Sequence, residues 1–228
     1  MSRNNKKYHI FEINVGKLNL VCIVLFVVIV LLTSFLYRGN IIEDLTEVNL
    51  MLLILVNVAL MLVHELLHSL AYVIYGGDFK KIVYGAYLEK GVLYCLCKQN
   101  ITRKNILNAL MFPLFYIGIV TYIISILTNN YYLLILSIFN LSGCVGDIFT
   151  FLFISKLDKD IMFSEFDDTT SFGLYSNKDL SKIKSLGIKY VKTQDKVTRK
   201  ELTKIKVSKT SYIILTIMLV LSILTLFL

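Results

Sequence analysis

Apolar residues along this chain come in long runs separated by short polar segments, and the runs predict helices that cross a membrane. Five stretches reach or approach the ~20 residues that a helix needs to span the hydrocarbon core. They cover residues 18–37, 50–75, 106–127, 131–155 and 210–228. Between the second and third runs the pattern changes. KKIVYGAYLEKGVLYCLCKQNIT holds two β-branched and aromatic runs around Glu89-Lys90-Gly91, which predicts a hairpin over 79–102. This hairpin is either a plain link between helices or an edge strand able to hold an extended peptide by strand addition. The expected fold is an all-α membrane protein of about five transmembrane helices, with a small β-hairpin after the second.

Charge orients the spans. Of 24 Lys and Arg, four lie before the first span, one (Arg38) follows it, six lie in the hairpin loop, none lies near Asn129, and thirteen lie in 156–209. The alternation of rich and poor loops predicts a cytoplasmic N-terminus, a cytoplasmic hairpin and an extracytoplasmic C-terminus. The first span is read as a retained anchor, because LLTSFLYRGN offers no small-x-small cleavage site.

Composition agrees. The chain is 56% apolar and only 18% charged over 228 residues, too greasy for an ordinary soluble surface. The net charge of +8 therefore reads as membrane orientation and attraction to anionic lipid, and no nucleic-acid partner is expected. Residues 1–155 are expected to form a membrane-embedded core, 156–209 a basic cytoplasmic segment too short for its own core, and 210–228 a last helix. With Cys95 and Cys97 on the cytoplasmic side and Cys22 and Cys144 in spans, no disulfide is expected.

The chemistry is carried by what the spans fail to exclude. Only four strongly ionisable side chains fall inside them: His64, Glu65, His68 and Asp147. A carboxylate near the bilayer centre costs roughly 3 kcal/mol on insertion scales, so these residues are candidates for function. His64-Glu65-Leu66-Leu67-His68 is an H-E-x-x-H pattern. Residues four apart stack on one helix face, so both imidazoles can reach one metal ion, while Glu65 is offset to serve as general base.

A catalytic zinc usually takes three protein ligands, and Asp147 is the remaining carboxylate. At 1.5 Å per residue, His64 and His68 lie roughly 18 and 12 Å before Gly76, and Asp147 roughly 13 Å before Lys156, so all three share the cytoplasmic half of the bilayer. Ser142, Gly143, Cys144 and Gly146 would let the Asp147 helix approach closely. Cys144 is read as a packing residue, with a fourth-ligand role as the alternative. Asn140 is expected to orient a substrate carbonyl or a ligand's second nitrogen, or else to bridge two helices. Asn57 is a weaker candidate for the same work.

These residues resemble the small bacterial membrane proteins called putative zincin peptidases, relatives of site-2 intramembrane proteases. The resemblance rests on HELLHSLAYVIYGG, the YGAY region and NLSGCVGD. Site-2 proteases pair an H-E-x-x-H helix with N-x-x-P-x-x-x-x-D-G. Here Asn140 and Asp147 keep that order, without the proline, one residue closer, and with glycine before the aspartate. The resemblance implies a fold and a metal site more than a substrate.

The expected activity is a zinc-dependent membrane-embedded endopeptidase, with one Zn2+ per chain held by His64, His68 and Asp147, and metal-activated water with Glu65 as general base. Its expected substrate is a membrane-associated peptide or protein. The alternative is a non-catalytic regulatory or immunity-type membrane protein that keeps a structural metal. A metal or proton transporter is disfavoured, since one compact cluster offers no second site along a path. The oligomeric state is left open.

Overall fold

The computed structural model describes residues 7–37, 49–87, 92–165, 171–183 and 185–194. Its helices are α1 (Val15–Leu36), α2 (Leu50–Ile74), α3 (Arg103–Thr128), α4 (Tyr131–Gly143) and α5 (Val145–Ser155). Its strands are β1 (Lys7–Ile13), β2 (Ile82–Tyr87), β3 (Val92–Cys97), β4 (Ile101–Thr102), β5 (Met162–Glu165), β6 (Ser171–Ser176) and β7 (Ile188–Gln194). α1, α2 and α3 are each long and apolar enough to cross a membrane, and the chain is membrane-associated on that ground. Side chains such as Leu20, Phe35 and Ile54 stay largely exposed on them, as a lipid-facing surface requires.

The all-α expectation is corrected. The fold is mixed α and β, with two antiparallel sheets. β2 and β3 form the expected hairpin, pairing Ile82 with Cys97 and Tyr87 with Val92. The second sheet was not expected: five strands in the order β4-β5-β6-β1-β7. The N-terminal arm is an interior strand of it, pairing with β6 from Lys7–Ser176 to Glu12–Ser171 and with β7 on its other side. The reason is non-local. Residues 156–194 cannot bury a core by themselves, and their missing partner lies 159–186 residues earlier in the chain.

The run over 131–155 is also divided. α4 and α5 meet at Cys144 and bend by 42°. The expected span 210–228 lies outside the described residues.

The connections place both sheets at one end of the helices. β1 runs into α1, α2 runs into the hairpin, β4 runs into α3, and α5 runs into β5. At the opposite end, the Tyr37 hydroxyl donates to the Asn129 carbonyl at 3.2 Å, tying the end of α1 to the tight α3–α4 turn. Every Lys and Arg among the described residues sits at the sheet end. The two layers join through aromatic packing. Phe11 of β1 lies 4.9 Å from Phe153 of α5 and 5.7 Å from Phe172 of β6, and such pairs add about 0.5–1.5 kcal/mol each beyond their burial. The sheet therefore rests on the helix that carries Asp147.

Candidate metal centre

α2 presents the first half of the centre. Its start is capped by Asn49, whose side chain accepts from the Leu52 N–H at 3.1 Å. Its end is closed at Gly76, where φ of 91° suits a residue without Cβ. There Gly77 N–H reaches the Tyr72 carbonyl at 2.7 Å and Gly76 N–H reaches Val73 at 3.1 Å, two bonds that satisfy carbonyls of the last turn. Asn105 of α3 adds a hydrogen bond to the Tyr75 carbonyl. Between these fixed ends, His64 and His68 stack on the face turned toward α3 and α4–α5.

α5 presents the second half. The break at Cys144 puts Asp147 in the first turn of a new helix, where the N-terminal partial positive charge favours a carboxylate. Arg103, at the start of α3, donates to the Ile154 carbonyl at 3.1 Å and to the Ser155 carbonyl, closing the far end of α5. The first turn of α3 thus pins the ends of both ligand-bearing helices.

The three side chains converge. His64 Nε2 lies 3.2 Å from Asp147 Oδ2, His68 Nε2 lies 3.4 Å from the same oxygen, and the two Nε2 atoms are 3.1 Å apart. Ligands about 2.0–2.1 Å from zinc at tetrahedral corners stand about 3.3 Å from one another. The three atoms already have the spacing of three corners of such a site, so the residues fit the ion.

The outer nitrogens are held too. His64 Nδ1 lies 3.2 Å from Asn140 Oδ1, and His68 Nδ1 lies 3.0 Å from the Ala109 carbonyl. Both acceptors call for a proton on Nδ1, which leaves the Nε2 lone pairs facing the common point. Asn140 therefore belongs to His64. Its Nδ2 is buried without a hydrogen-bond partner among the described residues, against α3 at Gly118, where an added Cβ would lie 2.8 Å from Leu141 and 3.4 Å from that nitrogen. Cys144 Sγ is 3.9 Å from His64 Nδ1, on the outer side of the ring, as a packing residue would be. Asn57 donates to its own helix, to the Leu53 carbonyl at 2.9 Å.

Glu65 stands beside the trio, and the backbone N–H of Cys95 in β3 is directed at its carboxylate. Both line a cavity of about 340 Å³, with β3 residues Leu93 to Leu96 along one side and Phe163 and Phe172 of the five-stranded sheet on another. A second cavity of about 580 Å³ shares His64, Glu65 and Leu93 and extends between α1, α2 and α4 past Met61 and Phe139. The four expected residues thus come together, and Asn140 joins them through His64. The Ala109 carbonyl and the Cys95 N–H were missed, because a backbone group carries no residue-type signal.

Residues 57–162 match the family model described as putative zincin peptidase. The matched stretch is 106 of the 228 residues. It holds His64, Glu65, His68, Asn140 and Asp147, and leaves out β1, α1, β6 and β7. No curated protein and no solved structure matches the chain. The family's description implies zinc, and two imidazoles with one carboxylate form a donor set that zinc accepts.

Proposed function

We propose that this protein is a zinc-dependent membrane-embedded endopeptidase that hydrolyses a peptide bond of a membrane-associated substrate. The observation that carries the reading is the convergence of His64 Nε2, His68 Nε2 and Asp147 Oδ2 within 3.4 Å of one another, with Glu65 in the adjoining cavity. A bound zinc supplies a Lewis acid that polarises a carbonyl and lowers the pKa of water. The protein's own groups do the rest. The Glu65 carboxylate takes a proton from the attacking water and returns it to the departing amine nitrogen. Asn140 and the Ala109 carbonyl keep the imidazole protons on Nδ1, so neither ring presents a proton toward the reacting atoms.

Strand β3 suits an extended substrate. It pairs with β2 along one edge, and Leu93 to Leu96 line the cavity beside Glu65, so a peptide adding to β3 would bring its backbone past the carboxylate. The larger cavity between α1, α2 and α4 gives a membrane-borne segment a route to the same point. In this reading the lysine-rich sheet end faces the cytoplasm.

The test uses full-length protein in nanodiscs, loaded with zinc and offered fluorogenic peptides with the sequences of single-span membrane segments. Cleavage should disappear on chelation, return with zinc, and be lost in Glu65→Gln while that variant keeps one zinc per chain. Full zinc occupancy with no cleavage of any peptide, and Glu65→Gln indistinguishable from wild type in the cell, would move the chain to the non-catalytic regulatory reading.

A further inference from the structure

The chain contains one proline, Pro113, buried inside α3. A proline inside a helix has no N–H, so the carbonyl four residues earlier loses its helical donor, and the ring pushes that carbonyl aside. Four residues before Pro113 is Ala109. The Ala109 carbonyl is the acceptor 3.0 Å from His68 Nδ1. The next N–H along, that of Leu114, turns to the Met111 carbonyl, and the helix continues as a π-helical turn over Leu114–Ile119. The helix therefore carries a break at which the Ala109 carbonyl, left without its helical donor, is the one His68 uses.

We infer that Pro113 is a positioning residue for the metal centre. By withholding the N–H that would claim the Ala109 carbonyl, it turns that carbonyl toward α2 and fixes His68 as the Nδ1–H tautomer, with the Nε2 lone pair facing Asp147 and His64. Pro113 touches none of the three ligand atoms and acts through one backbone oxygen. Ala109 is fully buried, so water does not compete for that oxygen. The assignment also gives a physical reason for a helix breaker in a helix that is otherwise long and apolar enough to cross a membrane. Metal-ligating histidines almost always donate their second nitrogen to such an acceptor, and loss of that partner typically weakens metal binding 10–100-fold.

The inference rests on the metal centre proposed above, and its tests separate the two. In full-length, zinc-free wild-type protein with 15N-labelled histidine, the His68 signals, assigned by their loss in His68→Gln, should show a protonated Nδ1 and a bare Nε2. The reverse tautomer overturns the inference without any variant. In Pro113→Ala the new N–H competes for the Ala109 carbonyl, so zinc affinity in a chelator competition should fall roughly 10–100-fold. The zinc-free melting temperature should hold or rise, since alanine is the better helix former. The His68 nitrogens should also lose their wild-type pattern. Unchanged affinity overturns the inference. So does a parallel fall in affinity and zinc-free melting temperature with the His68 signals intact, which is the mark of general unfolding. A wild-type chain that binds no zinc would sink the peptidase reading, while the zinc-free tautomer still decides whether Pro113 sets His68.

Discussion

Buried histidines occur in two regions of this molecule and do different work. His68 in α2 and His9 in β1 are 6% and 1% exposed, so burial does not separate them. His68 has its outer nitrogen held by a carbonyl and its inner nitrogen within 3.4 Å of both another imidazole and a carboxylate. His9 has its Nδ1 3.1 Å from the Thr193 hydroxyl, which in turn meets Tyr190 at 2.5 Å. Its Nε2 is buried beside the Lys178 backbone, without a hydrogen bond of normal geometry among the described residues. A buried histidine becomes a candidate ligand when the protein occupies one nitrogen and several elements bring other donors to the second. Without that convergence it stitches strands together.

The largest effect that could break this comparison is ligand removal. Asp147→Ala or His68→Ala should drop metal content from about one zinc per chain toward none, whereas His9→Gln should leave it at one. Equal loss in His9→Gln would erase the distinction. Next comes Glu65→Gln, which should retain zinc yet lower hydrolysis by about 10²–10⁴-fold, the usual contribution of a proton-transferring group. Matched removal of the outer partners sharpens the contrast further. Asn140→Ala should weaken zinc binding ~10–100-fold. Thr193→Val should leave zinc affinity unchanged and cost the fold about 1 kcal/mol, read by denaturant melts.

The smallest effect is in pH. Burial pushes His9 below its ordinary value of 6.5, against the pull of Asp179. Its neutral form is favoured in the fold, so its contribution is present above about pH 6.5 and is lost as pH falls toward its lowered folded value. Melting curves between pH 7.5 and 5.5 should show an acid destabilisation of wild type that is smaller in His9→Gln. An identical pH slope in both would remove His9 from the account.

The sequence made these regions unequally legible. The H-E-x-x-H spacing is local: four residues fix the face, and the helix supplies the geometry. Asp147 followed by elimination, because the membrane tolerates so few charges. The sheet obeyed no such rule. KYHIFEI reads as a short arm until IKYVKTQ and SFGLYS arrive from the far end of the chain to flank it. The break at Cys144 was hidden as well, since an apolar run of 25 residues looks the same straight or bent. The acceptors on His68 and Glu65 are backbone groups, which residue identity does not reveal.

The position of β1 sets a timetable for biosynthesis. Emerging first, it must wait for β7, which begins some 175 residues after β1 ends, a delay of roughly 10–35 s at about 5–20 residues per second of synthesis. For most of that interval, until β6 is made, α1, α2 and α3 can enter the bilayer while this interior strand has neither neighbour. Phe172, which lines the cavity beside the metal centre, arrives with β6 inside the same window. The ribosome therefore delivers His64, His68 and Asp147 before Phe172, and a nascent chain holds the three converging side chains before the cavity beside them has that wall.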